Sequence, residues 1–329
     1  MENNKVSVVV PAYNAEKTIE NTLEKILGGY NNVEVIVVND GSTDNTENIV
    51  KSFIKRDNRV KLVSQVNSGV GVARCRGIKE SSGNYIAFCD ADDWFEDNFL
   101  QEHLKHLEKY NAEISMCRTH ITGSADIGNS DDVSIKEKTD IVKDYLNYCG
   151  ITVSLWDKVY KRELLDNKEI INDLRYSEDL YMNYIACKYA NRIIKFNTTK
   201  YNWFNNPTSL SRGRFNPVKL ENDFSAWDKI ITDCNKNHPK LEETARLSSE
   251  LWIAGTYRSM VKSHYHNKEL EKKIARYIRQ DGIIKTLAAE KNRANKRFIR
   301  LAMISMPLAR YTWYVLTGAK RMVKKEILR

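Results

Sequence analysis

The chain has 329 residues, 42% of them hydrophobic and 29% charged, with a formal net charge of +9. That length suits two domains, and that balance excludes wholesale disorder. The positive excess raises nucleic acid or an anionic membrane as a partner, but eleven Lys and Arg against one acid fall in residues 291–329, which leaves the rest of the chain near −1 and argues against nucleic-acid binding by the body.

Residues 1–5 lead straight into an apolar run, 6–10, that ends at Pro11. This is too short and wrongly flanked for a secretory signal, and nowhere is there an uninterrupted apolar stretch of the ~18–20 residues that spans a bilayer. The run 6–10 is Val-rich and apolar apart from Ser7, as a strand buried on both faces requires. Ile19, Leu23 and Ile26 give helical spacing over 15–27, with Gly28-Gly29 as the stop. A strand follows over 33–38, and Asp44 can cap a helix running through Ile49 and Phe53. Residues 60–63 read as a strand, 68–81 as a helix, 85–89 as a strand, 96–110 as a helix and 114–117 as a strand. The polar, Gly-bearing stretch 123–134 reads as a loop. Beyond it the spacing predicts a helix over 139–148, a strand within 152–160, a helix over 177–190 and two short strands over 193–196 and 201–204. From Pro217 the pattern is mainly helical, over 220–234, 241–261 and 270–288. Repeated strand–helix–strand units predict an α/β fold: a mostly parallel sheet flanked by helices, followed by a mainly helical C-terminal region.

Sheets of this kind bind ligands at the carboxyl ends of their strands. The residues there are Pro11-Ala12-Tyr13-Asn14, Asn39-Asp40-Gly41-Ser42-Thr43-Asp44, Asn67-Ser68-Gly69 and Asp90-Ala91-Asp92-Asp93. Alternate carboxylates at Asp90 and Asp92 supply hard oxygen ligands of the kind Mg²⁺ or Mn²⁺ takes alongside substrate phosphates; a solvated acidic turn that caps the next helix fits the same residues. Asp40 suits a hydrogen bond to a nucleoside, and Gly-Ser-Thr-Asp after it is also good turn chemistry. Gly69-Val70-Gly71-Val72-Ala73-Arg74 has Arg74 where a dinucleotide fingerprint has its third glycine, and no GxxxxGK[ST] occurs. It reads as a Gly-rich helix start offering N–H groups and Arg74 to a phosphate, or as a packing site. The six cysteines are scattered without a CxxC pair, which reads as reduced, mostly buried thiols and no zinc site.

Taken in order, Pro11-Ala12-Tyr13-Asn14, Val38-Asn39-Asp40-Gly41-Ser42-Thr43-Asp44, Gln65-Val66-Asn67-Ser68-Gly69 with Ala73-Arg74, and Asp90-Ala91-Asp92-Asp93 resemble the nucleotide-sugar half of family 2 glycosyltransferases with the GT-A fold. The resemblance implies that Pro11, Ala12 and Tyr13 line a uridine pocket, that Asp40 binds the uracil edge, and that Asn67 and Arg74 lie near the base and diphosphate. It implies that Asp90 touches ribose or a metal-bound water, with Ala91 beside it, and that Asp92, with Asp90, holds Mn²⁺ or Mg²⁺ on the departing diphosphate.

The second half resembles the capsular and exopolysaccharide branch through Leu155-Trp156-Asp157-Lys158-Val159-Tyr160 and Ser177-Glu178-Asp179. Here the resemblance implies that Asp179, preceded by Glu178, is the general base for an acceptor hydroxyl; an acidic first helical turn favoured by the dipole is the plain alternative. Trp156, Lys158, Ser209 and Arg212 are expected on the acceptor or diphosphate side. After Tyr201-Asn202-Trp203 this chain has Phe204 where related sequences often carry arginine.

The expected divisions are 1–120 for the nucleotide-sugar half, 121–215 for the acceptor-side half, 216–290 for a helical region and 291–329 for a basic amphipathic tail. The tail interleaves basic residues with Phe298, Leu301, Trp313 and Tyr314, as an interfacial helix does, or a helix that packs on the body. The expected protein is therefore a cytoplasmic, inner-leaflet enzyme that moves a sugar from a UDP-sugar to a surface polysaccharide or lipid-linked saccharide. A nucleotide-sugar-binding module or scaffold without turnover is the alternative.

Overall fold

The computed structural model describes residues 4–124, 128–170, 173–204 and 215–278. The chain divides into two compact units, Met1–Thr208 and Ser209–Arg329. The expected sections 1–120 and most of 121–215 thus fall in the first unit.

In the first unit the elements run β1 (Val6–Ala12), α1 (Ile19–Gly29), β2 (Val33–Asp40), α2 (Thr46–Arg56), β3 (Val60–Gln65), α3 (Val70–Glu80), β4 (Tyr85–Phe88) and β5 (Trp94–Phe95). They continue with α4 (Phe99–Lys109), β6 (Ile114–Ile121), β7 (Val133–Glu137), α5 (Lys138–Leu146), β8 (Lys158–Lys161), α6 (Arg162–Leu165), α7 (Glu178–Tyr189) and β9 (Arg192–Trp203). Among the described residues one sheet holds every strand, in the order β3-β2-β1-β4-β8-β6-β9-β5, with β7 also on β9. The pairs among β3, β2, β1 and β4 are parallel; β8 then enters antiparallel between β4 and β6, so β6 and β9 again run with β1. The carboxyl ends of β1, β2, β4, β6 and β9 thus share one edge.

The valine run explains the centre. Every residue of β1 is buried. Val6, Val8 and Val10 pack in one cluster with Leu23 and Ile26 of α1, Phe53 of α2 and Leu104 of α4. On the opposite face Val9 lies against α3, where a Cβ on Gly77 would come within 2.3 Å of a Val9 methyl. Each fully buried valine is worth about 1.5–3 kcal/mol against exposure, so the strand is held from both sides.

Several boundaries differ from the sequence reading. α1 runs through Gly28-Gly29 and is capped by Tyr30. β2 continues through Asn39 and Asp40 because backbone pairing reaches Ala12↔Asn39 and Asp40↔Gln65, which hydrophobicity does not report. The helix expected from 96 begins at Phe99: Trp94 and Phe95 pair with Asn202 and Tyr201, and Asn98 at φ 57° breaks the chain direction. The two strands expected around 193–204 are one, since β6 pairs on both sides of its polar middle and with Thr199 inside it, while β7 and β5 pair along its two ends. The N-cap of α2 is Asn45; Asp44 still accepts from the Thr46 amide at 3.0 Å.

In the second unit α8 (Pro217–Asn237), α9 (Glu242–Lys262) and α10 (Lys268–Ile278) pack through Leu220, Phe224, Ile253, Tyr257, Met260 and Ile274. Asn216 caps α8 by accepting from the Val218 amide at 2.9 Å, ahead of a proline in the first turn. Among the described residues no helix is long and apolar enough to cross a membrane. All six cysteines are free thiols, and only Cys149 is exposed. Residues 291–329 lie outside the described residues.

Candidate active site

The carboxyl edge is built from loops that bond one another. Asn14, at φ 50°, accepts from the Thr43 amide at 2.8 Å and donates its own amide to Ser42 Oγ at 3.0 Å. Asp44 accepts from the Glu16 amide at 3.1 Å. The turns after β1 and β2 therefore form one piece, with Pro11 and Ala12 buried in the strand and Tyr13 half-exposed at the lip.

Asp40, at the end of β2, is buried. Its Oδ1 accepts from Gln65 Nε2 and the Ser68 amide, and its Oδ2 from the Gly69 amide, each at 2.8 Å. One carboxylate thus shapes the turn after β3. Gly69 sits at φ 96°, and a Cβ there would clash with Arg175. Gly71 is equally tight: a Cβ would lie 2.0 Å from the Leu174 carbonyl oxygen. Between the two readings of this Gly-rich helix start, the structure favours packing. The Gly69 amide is taken by Asp40 and the Gly71 amide donates to the Arg175 carbonyl at 3.5 Å, so this helix start does not offer them to a phosphate. Asn67 accepts from the Arg175 guanidinium through Oδ1.

After β4, Asp90 and Asp92 are half-buried, and Ala91 and Asp93 are buried. The Asp93 amide donates to the Asp90 carbonyl at 3.0 Å, closing a tight turn. Thr22 of α1 donates to the carbonyls of Ala91 and Asp93, at 3.1 and 2.8 Å. Asp93 accepts from the Tyr201 hydroxyl at 2.6 Å and the Phe204 amide at 2.7 Å. Burial pushes the Asp93 carboxyl up to about 8, Asp90 adds to the shift, and those two donors only partly oppose it. The buried member of the acidic run therefore anchors the turn, and Asp90 and Asp92 stay at its surface. Among the described residues no group of three or more His, Cys, Asp or Glu side chains is gathered to hold an ion.

Arg74, expected near the diphosphate, is bonded to two carboxylates. It is 6% exposed, and its two terminal nitrogens donate to carboxylates on either side: Asp90 Oδ1 at 2.6 Å and Glu178 Oε1. Burial alone would lower its affinity for a proton, but Asp90, Glu178 and Asp179 outweigh that and hold the guanidinium charged. Burial pushes the Glu178 carboxyl up, and Arg74 pulls it back. Glu178 and Asp179 open α7 after Ser177, which is at φ 60°. Asp179 is half-buried, and its Oδ1 accepts from the Leu180 amide at 2.8 Å.

Lys158 also differs from expectation. It is buried, and its ammonium donates to Thr152 Oγ1 at 2.6 Å, the Ser154 carbonyl at 2.5 Å and Asp157 at 2.7 Å. All three donors are spent inside the fold, so it presents none to a diphosphate. Trp156 stacks on Tyr201 with ring centroids 4.6 Å apart and packs on the core. Ser209 and Arg212 lie outside the described residues. Tyr201 and Arg175 are site residues that sequence reasoning did not single out. Tyr201 stands within an aromatic run, which is a signal; Arg175 carries none.

Residues 7–154 match the family model described as glycosyl transferase family 2. The glycosyltransferase GlyA of Streptococcus pneumoniae is 31% identical over 223 residues, covering 63% of this chain and 32% of GlyA. The uncharacterized glycosyltransferase EpsJ of Bacillus subtilis is 29% identical over 228 residues, covering 66% of this chain and 65% of EpsJ. The matches thus span about a third of the first relative and just under two thirds of the second. Among solved structures, S. aureus TarS 1-349 in complex with UDP-GlcNAc aligns at TM-score 0.68 and 20% identity over 95% of this chain and 92% of that one. The mannosyltransferase PcManGT from Pyrobaculum calidifontis, in complex with GDP-Man and Mn²⁺, aligns at TM-score 0.56 and 17% identity over 94% and 86%. At those identities the likeness is one of fold, a GT-A sheet with a helical region after it. Over residues 7–154, a little under half of its length, the chain is similar to glycosyl transferase family 2.

Proposed function

We propose that this chain is an inverting glycosyltransferase that moves a sugar from a UDP-sugar to a hydroxyl of a surface polysaccharide or lipid-linked oligosaccharide. One observation carries the reading most: the Asp90–Arg74–Glu178 bridge gathers the acidic turn after β4 and the first turn of α7 at one sheet edge. The family match over residues 7–154 supports it, as do the fold neighbours, one holding UDP-GlcNAc and one GDP-Man with Mn²⁺.

In this reading Pro11, Ala12 and Tyr13 border the nucleoside, Asp40 faces the uracil edge, and Asn67 lies beside it. Mg²⁺ and Mn²⁺ take one or two protein carboxylates and leave the rest of the shell to phosphate and water. Half-buried Asp92 fits that demand, together with Asp90, whose Oδ2 lies outside the Arg74 bond. When bound, such a cation supplies charge neutralisation at the diphosphate. Asp179 takes the acceptor hydroxyl's proton as that oxygen attacks the anomeric carbon from the face opposite the diphosphate. The bond to phosphate breaks, the UDP oxygen keeps the electron pair, and one displacement inverts the centre. Segment 291–329 would hold the enzyme on the cytoplasmic leaflet through its basic and aromatic residues.

The test is a UDP-sugar panel with Mn²⁺, read by thermal shift and by UDP release. One donor should stabilise the protein and release UDP when acceptor is added. Stabilisation with no release under any acceptor would favour a binding module. No response to any donor would refute the reading.

A further inference from the structure

The chain leading into α7 is fastened to the start of α3 at several independent points. Arg175 donates from its guanidinium to Asn67, and its carbonyl accepts from the Gly71 amide at 3.5 Å. Gly69 and Gly71 carry no side chain where any Cβ would collide with Arg175, Leu174 or Glu178. Beneath these contacts Arg74 bonds Glu178 of α7 through one terminal nitrogen and Asp90 of the acidic turn through the other. A guanidinium is planar and rigid, so a fork that bonds two carboxylates fixes their separation and relative angle. An ammonium of the same charge fixes neither.

We propose that Arg74 is a positioning residue that holds the first turn of α7, and with it Asp179, in register with the donor-side carboxylate Asp90. The proposal rests on the glycosyl-transfer reading of this edge. It gives Arg74 a role other than contact with the diphosphate: donor-side turn and base are set by one buried side chain. Asp90 keeps its second oxygen for the cation or a water on it, while the first is committed to the register of α7.

The experiment compares wild type with Arg74→Lys and Gly71→Ala. Lysine keeps the charge beside Glu178 and cannot span both carboxylates. Alanine favours helix in α3 and acts only by displacing Leu174 and Glu178. Expected for both is a kcat for transfer lowered about 100-fold, the cost of an ångström of misplacement, with the UDP dissociation constant within about threefold of wild type, so that the loss lies in the transition state. Hydrogen exchange supplies a readout that needs no turnover. UDP with Mn²⁺ should slow exchange at the amides of 180–183 in wild type, and less so in Arg74→Lys. Transfer lowered in step with UDP binding would overturn the proposal, as would near-wild-type kcat in either variant. Absence of ligand-dependent protection in wild type would overturn it even if the variants do not fold. Absence of transfer from every donor, with that protection present, would sink the transfer reading and leave the coupling standing.

Discussion

Replacing Asp40 by Asn tests the donor-side turn with almost no change in shape. The carboxylate accepts three hydrogen bonds, from Gln65, the Ser68 amide and the Gly69 amide, each at 2.8 Å. An asparagine oxygen placed at Oδ1 keeps the first two and loses their charge assistance. Its amide nitrogen then meets the Gly69 N–H, donor against donor. Gly69 cannot turn away easily, because it is held at φ 96° under Arg175. A bond to a charged group is worth ~1.5–3 kcal/mol and a buried unsatisfied donor costs ~1–3 kcal/mol. We expect a net loss of about 2–4 kcal/mol for Asp40→Asn, since one bond is lost outright and the rest weaken. For a unit of this size that is a fall of roughly 4–16 °C in Tm. Differential scanning fluorimetry of wild type, Asp40→Asn and Gln65→Ala reads the difference; Gln65→Ala removes one partner and should cost about 1 kcal/mol. UDP should raise the Tm of Asp40→Asn by less than it raises that of wild type. A Tm for Asp40→Asn within a degree of wild type, or an undiminished UDP shift, would refute the reasoning.

Tyr201→Phe removes the hydroxyl that donates to buried Asp93 and accepts from the Asp90 amide. It should cost about 1.5–3 kcal/mol by urea unfolding and weaken UDP binding measured calorimetrically with Mn²⁺. Asp92→Ala should abolish the response of turnover to added Mn²⁺; an unchanged metal titration would remove Asp92 from that role. At the opposite end of the sheet, Glu34 is buried against Lys5 and Lys61, each at 2.8 Å, with Ser7 and the Ser82 amide donating as well. Burial raises its carboxyl, but these partners outweigh burial and hold it well below the usual range. A depressed folded-state value gives stability that is present above the unfolded value, ~4.3, and lost as pH falls below it. Acid unfolding should therefore flatten between about pH 4 and 2 in Glu34→Gln, relative to wild type.

What the sequence made legible is whatever one segment states by itself. The run 6–10 is apolar because β1 is covered on both faces, and that pattern needs no partner to be read. The acidic turn was found because it follows a strand directly. Partnership was the hidden part. Arg74 meets Glu178 across 104 positions, and nothing in either neighbourhood announces it. Lys158 is expected on the acceptor or diphosphate side, yet burial and its bonds to Thr152 and Asp157 make it internal. Asp93 resembled its neighbours in an acidic run, and only Tyr201, 108 residues away, marks it as the anchor. The strand β9 looked interrupted because its middle is polar, yet three other strands pair along it.

The central claim is that this edge transfers a sugar with Asp179 as base. The direct measurement is donor-to-acceptor transfer and UDP affinity, side by side, in wild type and Asp179→Asn. General base catalysis contributes ~10²–10⁴-fold, so transfer should fall by at least ~100-fold while the UDP dissociation constant stays within about threefold. Turnover by Asp179→Asn near the wild-type rate would contradict the account.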